Sequence, residues 1–196
     1  LKGPHMHAHI LPMDMNGDGH LDHVLVWAPG GLDGKAQAAV RSVRRAYTKG
    51  GIEPLRVALA GIGDLKDFRR LPGIYGKKFQ SIVGDEGGNR RWMSLTPFVA
   101  PRYLKKNGRN TLKGQITEEL SSRGIFNPFK VKVLRPGSDI ELLRHRHFIR
   151  KRRRGPAPPV DFGYSLEILF ERPITGPLCL GYGSHFGLGL FMAPGD

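Results

Sequence analysis

Among its 196 residues the chain has one cysteine, Cys179. A single cysteine excludes an internal disulfide framework and is typical of proteins from a reducing cytoplasm, where we expect this one to reside. Long hydrophobic runs are also missing. None reaches the roughly 18 apolar residues that indicate a membrane-spanning helix, and no segment resembles a signal peptide. We therefore expect no membrane partner.

Acidic residues are scarce as well: 17 Asp and Glu stand against 31 Lys and Arg, giving a formal net charge of +14. Such a surplus on one molecule favours an anionic partner, with nucleic acid as the first choice. An acidic membrane surface is a weaker choice because no long basic amphipathic helix is present. The length and the 39% hydrophobic content fit one globular domain or two small ones.

The first six residues, LKGPHM, resemble a cloning remnant, and we exclude them, with His5, from reasoning about the fold. The remaining sequence then begins abruptly at His7. We accordingly expect the natural protein to extend upstream.

Four of the eight histidines, namely His7, His9, His20 and His23, lie in HAHILPMDMNGDGHLDHVLVWAP, residues 7–29. Two β-rich segments flank a glycine-containing acidic loop, which predicts a hairpin. Alternation places His7 and His9 on one face, with His23 across or diagonally from His9, depending on register. Their chemistry is open to three interpretations: acid–base catalysis near neutral pH, metal ligation, or a structural role. We expect no metal and no cofactor.

The loop of this hairpin matches the start of a calcium-binding pattern, with Asp14, Asn16 and Asp18 at alternate positions and Asp22 at the ninth. The twelfth position is Leu25, where that pattern requires glutamate. Both flanks also look like strands rather than helices. We favour the alternative that the acidic side chains hydrogen-bond the backbone of a tight turn.

The remaining patterns predict an α+β protein with antiparallel sheets. One helix is predicted with an apolar stripe at Ala36, Val40, Val43 and Tyr47, and a second with Leu112, Ile116 and Leu120 after a cap at Asn110 or Thr111. Strands are predicted at 55–62 (buried), 92–99, 129–133 and 164–170, and residues 63–91 have no clear period.

Two basic features predict contacts with RNA or DNA. Seven cations crowd one run: Arg144, Arg146, Arg150, Lys151, Arg152, Arg153 and Arg154. Arg41, Arg44 and Arg45 lie on the non-apolar faces of the first predicted helix, which we expect to end at Gly50 and Gly51. Neutralising phosphates releases counterions, so such clusters bind nucleic acid in a salt-dependent way. The alternative is a solvated loop.

The segment 181–189 carries Gly181, Gly183, Ser184, His185, Gly187 and Gly189. It lacks the Gly-Lys-Ser/Thr of a P-loop and the βαβ context of a dinucleotide site. Closely spaced glycines let a backbone approach phosphates, which favours a functional loop over a glycine-rich strand pair. Cys179, just before it, is interpreted as a small core residue rather than a nucleophile.

Three segments together resemble one CRISPR family: residues 7–29, SLTPFVAPR at 94–102, and GPLCLGYGSHFGLGLF at 176–191. The chain is similar to the repeat-processing C-terminal part of the fused Cas-five/Cas-six-type subunit of subtype I-G (formerly I-U), in the RAMP superfamily. The resemblance spans most of residues 7–194. It implies a RAMP-like fold of one or two ferredoxin-like (RRM-related) βαββαβ units over 7–196, divided, if there are two, near 136–160.

The resemblance further implies metal-independent cleavage of precursor CRISPR RNA within its repeats, by attack of the 2′-hydroxyl. The expected products carry a 2′,3′-cyclic phosphate and a 5′-hydroxyl. It favours catalytic roles for His9 and His23, then His20 and His7, with His185 as an outside candidate, and RNA contact by the glycine-rich loop. Implied partners are a CRISPR repeat hairpin and, through a missing N-terminal half, other effector subunits. The rivals are a non-catalytic RNA-binding subunit and a metal-dependent nuclease.

Overall fold

The computed structural model describes residues 7–47, 53–135, 160 and 162–195. Its helices are α1 (Gly34–Ser42), α2 (Leu65–Arg69), α3 (Gly73–Val83) and α4 (Leu112–Ser122). Its strands are β1 (His9–Met13), β2 (His23–Trp27), β3 (Arg45–Ala46), β4 (Leu55–Arg56), β5 (Asn89–Ser94), β6 (Phe98–Val99), β7 (Phe129–Val133), β8 (Gly163–Tyr164), β9 (Leu166–Ile174), β10 (Leu178–Cys179) and β11 (Leu190–Met192). Short 3-10 turns lie at Gly108–Asn110 and Ser184–Phe186.

The centre of the fold is a five-stranded sheet in the order β10-β11-β5-β9-β7, in which every neighbouring pair is antiparallel. Three two-stranded pairs, β1-β2, β3-β4 and β6-β8, lie outside it. The predicted α+β class with antiparallel sheets is therefore confirmed. The strands predicted at 129–133 and 164–170 are present, as β7 and as β8 with β9.

Helix α4, which the cap and apolar stripe predicted, covers one face of this sheet. The Thr111 side chain caps it by accepting a hydrogen bond from the amide of Gly114. Ile116 and Leu120 are fully buried and belong to one cluster with large residues of the sheet, among them Trp92, Ile168 and Phe191. The helical period and the cap were sufficient to predict this helix, because its apolar stripe has an apolar sheet to pack against.

A second core lies on the opposite face, under the β1-β2 hairpin and α3. Leu11 and Met13 of the hairpin pack with Phe79 of α3 and with Cys179 and Leu190 of the sheet edge. Side chains alternate along a strand, so Leu190 and its neighbour Phe191, which belong to the two different cores, point to opposite sides. The hairpin is thus as predicted, and this core fixes β1 against the glycine-rich segment.

The predicted helix stripe ending at Tyr47 is wrong. Helix α1 ends at Ser42 and has no buried residue, and Tyr47 lies beyond β3 with 79% of its surface exposed. The buried strand predicted at 55–62 is also wrong, because β4 has two residues and Leu55 is 58% exposed. Among the described strands β4 pairs only with β3, and residues 55–62 are all exposed.

Residues 63–91 hold α2, α3 and the beginning of β5, so they form regular structure rather than an irregular excursion. Strand β5 ends at Ser94, and β6 is a separate element of the predicted strand 92–99. The predicted division near 136–160 and the basic run Arg144–Arg154 lie outside the described residues. Within the described ranges, no helix is both long and apolar enough to cross a bilayer.

Candidate functional site

Three histidines meet where β1 approaches the glycine-rich loop. The rings of His9 and His185 stack with centroids 4.4 Å apart and an interplanar angle of 30°. His7 approaches His185 edge-on at 6.0 Å. Trp27, which is paired directly opposite His9 in the hairpin, lies 5.2 Å from the His9 ring. The fold therefore joins two of the predicted histidines to His185, the outside candidate.

Backbone carbonyls hold two of these rings. Nδ1 of His9 lies 3.1 Å from the carbonyl oxygen of Ser184, and Nδ1 of His185 lies 3.3 Å from that of Ala8. A carbonyl oxygen can only accept, so Nδ1 donates in each case and the neutral ring carries its lone pair on Nε2. His9 is 2% exposed, His185 is half-buried and His7 is exposed. The accessible imidazoles are those of His7 and His185.

Glu119 of α4 and Arg123, the residue after the end of that helix, support the loop from one side. The Glu119 carboxylate accepts hydrogen bonds from the amide of Gly181, at 2.8 Å, and from Nη1 of Arg123, at 3.0 Å. Nη2 of Arg123 donates to Oγ of Ser184 at 3.2 Å. The sequence analysis missed both residues. Their position on a predicted helix gave no sign of a partner about 60 residues later in the chain.

Several backbone amides of the glycine-rich loop donate hydrogen bonds to acceptors within the protein. The amide of Gly189 donates to the Pro97 carbonyl at 2.9 Å, and that of Ser184 to the Gly181 carbonyl at 3.3 Å. Gly187 is buried, and a Cβ there would lie 2.8 Å from Cδ of Pro12 in β1. The amides of Gly181, Ser184 and Gly189 are thus directed into the protein, and contact of this loop with RNA stays a prediction. Its exposed or half-exposed members are Tyr182, Gly183, His185, Phe186 and Leu188.

His20 and His23 lie at the other end of the hairpin. The register pairs His23 with Met13, so the expectation that His23 lies across or diagonally from His9 is wrong. Nδ1 of His23 lies 3.0 Å from Oδ1 of Asp22, and its ring is 6.0 Å from that of Tyr75. The His20 side chain is 87% exposed. A catalytic role for either residue would require a second site.

The acidic loop is closed by its own side chains. Asp14 accepts hydrogen bonds from the amides of Gly17 and Gly19, and Asp22 accepts one from the amide of Met15. These backbone bonds stabilise the carboxylate, and the bond from Met15 is the largest cause of the lowered pKa of Asp22. The pKa of Asp18 is lowered chiefly by the amide of His20. The turn interpretation accounts for these contacts.

A joint metal site of His7, His9 and the loop carboxylates is not assembled, because β1 separates the two groups along the hairpin. Within the described ranges no three His, Cys, Asp or Glu side chains are placed to hold one metal ion. Cys179 is buried, as predicted for a core residue, and burial raises the pKa of its thiol to about 12. A thiol with that pKa is a poor nucleophile.

Arg41, Arg44 and Arg45 are all exposed. Arg41 lies at the end of α1, but Arg44 follows the helix and Arg45 is in β3, so their predicted place on the helix is wrong for these two. Arg45 is paired directly opposite Arg56 of β4, a further cation that the sequence analysis did not single out. Their contact with nucleic acid stays a prediction. No family model matches the chain, and neither the curated proteins nor the solved structures provide a match. Any function must therefore be argued from the chain itself.

Proposed function

We propose that this chain is a metal-independent endoribonuclease that cleaves precursor CRISPR RNA within its repeats. The observation that carries the proposal is the meeting of His7, His9 and His185 beside the glycine-rich loop. Strand β1 and the loop are far apart in sequence. Both lie in segments that resemble the CRISPR family, but neither segment alone predicts that these three histidines meet.

The strand order supports a ferredoxin-like unit. The βαββαβ pattern is present along the chain as β5, α4, β7, β9 and β11, except that its second helix is missing between β9 and β11. In the sheet order β11-β5-β9-β7, the fourth strand of this pattern lies beside the first. Strand β10 and the glycine-rich loop occupy the connection where the second helix would lie. We propose that this arrangement is RAMP-like, with the loop replacing that helix beside the histidines.

The chemistry requires two proton transfers at one phosphodiester. A base removes the proton of the 2′-hydroxyl, and an acid protonates the leaving 5′-oxygen. The accessible His7 and His185 suit these steps, because an imidazole can accept a proton as a base and donate one as an acid. Their centroids are 6.0 Å apart, a spacing from which each could reach a different oxygen of one phosphodiester. His9 is too buried to touch RNA and positions His185 from beneath.

The substrate and partners follow from charge and from the resemblance. A net charge of +14 suits a polyanion, and a folded repeat offers phosphates, 2′-hydroxyls and shape rather than readable base edges. We propose a repeat hairpin as the substrate, other effector-complex subunits as partners, and the cytoplasm as the location.

The burial of His9 favours one alternative, a subunit that holds repeat RNA without cutting it. A histidine that is 2% exposed and bonded to a carbonyl is also what a purely structural residue looks like. In that case the glycine-rich loop and the histidines form a rigid surface, and the basic residues provide the affinity.

The test is cleavage of a repeat RNA from the host's own CRISPR arrays in excess EDTA. We expect wild type to cut once, His185→Ala and His7→Ala to bind but cut at least about a hundredfold more slowly, and His20→Ala to behave as wild type. His20 is the matched control because it is an exposed histidine of the same hairpin, remote from the cluster. Binding without a cut supports the holding subunit. Cutting that appears only after Mg²⁺ is added contradicts the proposal.

A further inference from the structure

We infer that Arg123 is a positioning residue that sets the geometry of the histidine cluster through the glycine-rich loop. The inference rests on the proposed function for its catalytic consequence, but its structural part can be measured without it. Arg123 touches none of the three histidines in the contacts described above. It acts through Ser184, whose hydroxyl accepts from Arg123 and whose carbonyl accepts from His9.

The path from helix to histidine has three short steps. Arg123 Nη2 lies 3.2 Å from Ser184 Oγ, and the Ser184 carbonyl lies 3.1 Å from His9 Nδ1. The His9 ring then stacks on His185 at 4.4 Å. The two hydrogen bonds and the ring stacking each depend on the orientation of the groups they join. We therefore expect a shift of the Ser184 backbone to turn the His9 ring, and with it the surface on which the His185 ring stacks.

The guanidinium is itself held firmly. Its Nη1 donates to the Glu119 carbonyl at 2.7 Å, to the Glu119 carboxylate at 3.0 Å and to the Ser122 hydroxyl at 3.2 Å. The same Glu119 carboxylate accepts from the amide of Gly181, at the beginning of the loop. The ion pair between Glu119 of α4 and Arg123, the residue after the helix, therefore holds the loop at two points, Gly181 and Ser184.

Burial distinguishes this arginine from the RNA-binding candidates. The Arg123 side chain is 13% exposed and that of Glu119 is 21% exposed, whereas Arg41, Arg44 and Arg45 are all exposed. A largely buried guanidinium whose N–H groups donate to acceptors within the protein is not arranged to bind a phosphate backbone. Its planar fork bonds Glu119 and Ser184 at once, which a lysine ammonium cannot do with the same geometry.

The catalytic expectation is a loss in kcat with little change in KM. A displacement of about 1 Å in a reacting group can cost about a hundredfold in rate, so we expect Arg123→Gln to lower kcat about tenfold to a hundredfold. The exposed basic residues proposed to provide most of the affinity for RNA are unchanged, so KM should stay within about twofold.

The matched control is Arg102→Gln. Arg102 pairs with Glu118, the neighbour of Glu119 on the same helix, and its side chain makes no described contact with the loop. Each variant removes an arginine that lies outside α4, together with its ion pair to a glutamate of α4. If kcat falls with KM retained in Arg123→Gln and both constants are unchanged in Arg102→Gln, positioning is supported, whereas equal effects in both variants contradict it.

A second readout needs no cleavage. In wild type the Nδ1–H of His9 should give a protected imidazole resonance in the NMR spectrum, because it is buried and bonded to Ser184. We expect Arg123→Gln to weaken or lose this protection, and Arg102→Gln to retain it. If Arg123→Gln does not fold, Ser184→Ala removes only the hydroxyl that Arg123 reaches and should produce the same changes.

The outcomes separate the inference from the proposed function. Unchanged His9 protection in both Arg123→Gln and Ser184→Ala overturns the inference, whether or not RNA is cut. Lost protection in a protein whose wild type never cuts RNA supports the inference and contradicts the proposed function.

Discussion

The ribbon formed by β3 and β4 places two arginines against each other. Arg45 lies directly opposite Arg56 in an antiparallel pair, and like charges in that position are destabilising. In the described part of the chain, neither has a carboxylate within ion-pair distance. An anion bound between them would relieve the repulsion. We therefore predict that Arg56→Gln makes the free ribbon more stable and its binding to RNA weaker.

The magnitude of the stability effect is small because both side chains are exposed. A cross-strand pair contributes about 0.2–1 kcal/mol, and solvent screening places this one near the lower end, about 0.3 kcal/mol. A two-stranded ribbon opens locally, so the gain belongs to the ribbon and not to the whole protein. The amide of Val57 donates to the Arg44 carbonyl at 2.9 Å beside this pair. Its hydrogen exchange should slow by somewhat less than about twofold.

The binding arm uses fluorescence anisotropy with a repeat RNA at several salt concentrations. Loss of one phosphate contact should lower the slope of log K against log salt by about 0.7–0.9. Arg172→Gln, an exposed arginine of β9, is the control for exchange at Val57 and should leave it unchanged. Faster or unchanged exchange in Arg56→Gln would refute the repulsion. An unchanged salt slope would show that the ribbon does not contact RNA. If Arg56→Gln instead weakened binding to an acidic protein, the ribbon would be assigned to a protein partner.

Three further predictions concern the scaffold. In urea unfolding, Gly189→Ala should destabilise the protein more than Gly31→Ala. Both glycines have positive φ, but of the two only Gly189 would place a Cβ against a backbone oxygen, at 1.9 Å. Equal losses of stability would contradict a role for this close contact. Asp22→Asn should reduce stability at pH 7, and this loss should shrink progressively as the pH falls below 3.8. The folded carboxyl has a lowered pKa, so its contribution is fully present above the unfolded pKa and is lost as pH falls through the folded one. A loss that stays constant as the pH falls would count against it. Cys179, with its thiol pKa raised to about 12, should resist iodoacetamide at pH 8 until urea unfolds the protein, and rapid labelling of the native protein would show that it is accessible.

Local patterns predicted the elements that pack on the central sheet. Helix α4 has a cap and a regular apolar stripe, and β7 and β9 alternate, so each carried its own signal. The same reasoning failed for the stripe ending at Tyr47 and for 55–62. An apolar run predicts burial only if another element covers it, and that depends on distant parts of the chain.

The candidate site was half-predictable for a related reason. Clustering along the hairpin pointed to His7 and His9, but the same clustering wrongly grouped them with His20 and His23, which the register separates. His185 joins the site through a contact between residues 176 positions apart. Glu119 and Arg123 support it through contacts about 60 positions apart. Spacing in the sequence contains no information on such contacts.

The proposed function is tested most directly on the substrate. A repeat RNA with a single 2′-deoxy nucleotide at the cleavage position lacks the nucleophile but keeps its shape and charge. In EDTA we predict that this RNA binds as tightly as the natural repeat and remains uncut, while the natural repeat yields one 2′,3′-cyclic phosphate and one 5′-hydroxyl end. Cleavage of the deoxy RNA at the same position, or products with 3′-hydroxyl ends, would contradict the proposed mechanism.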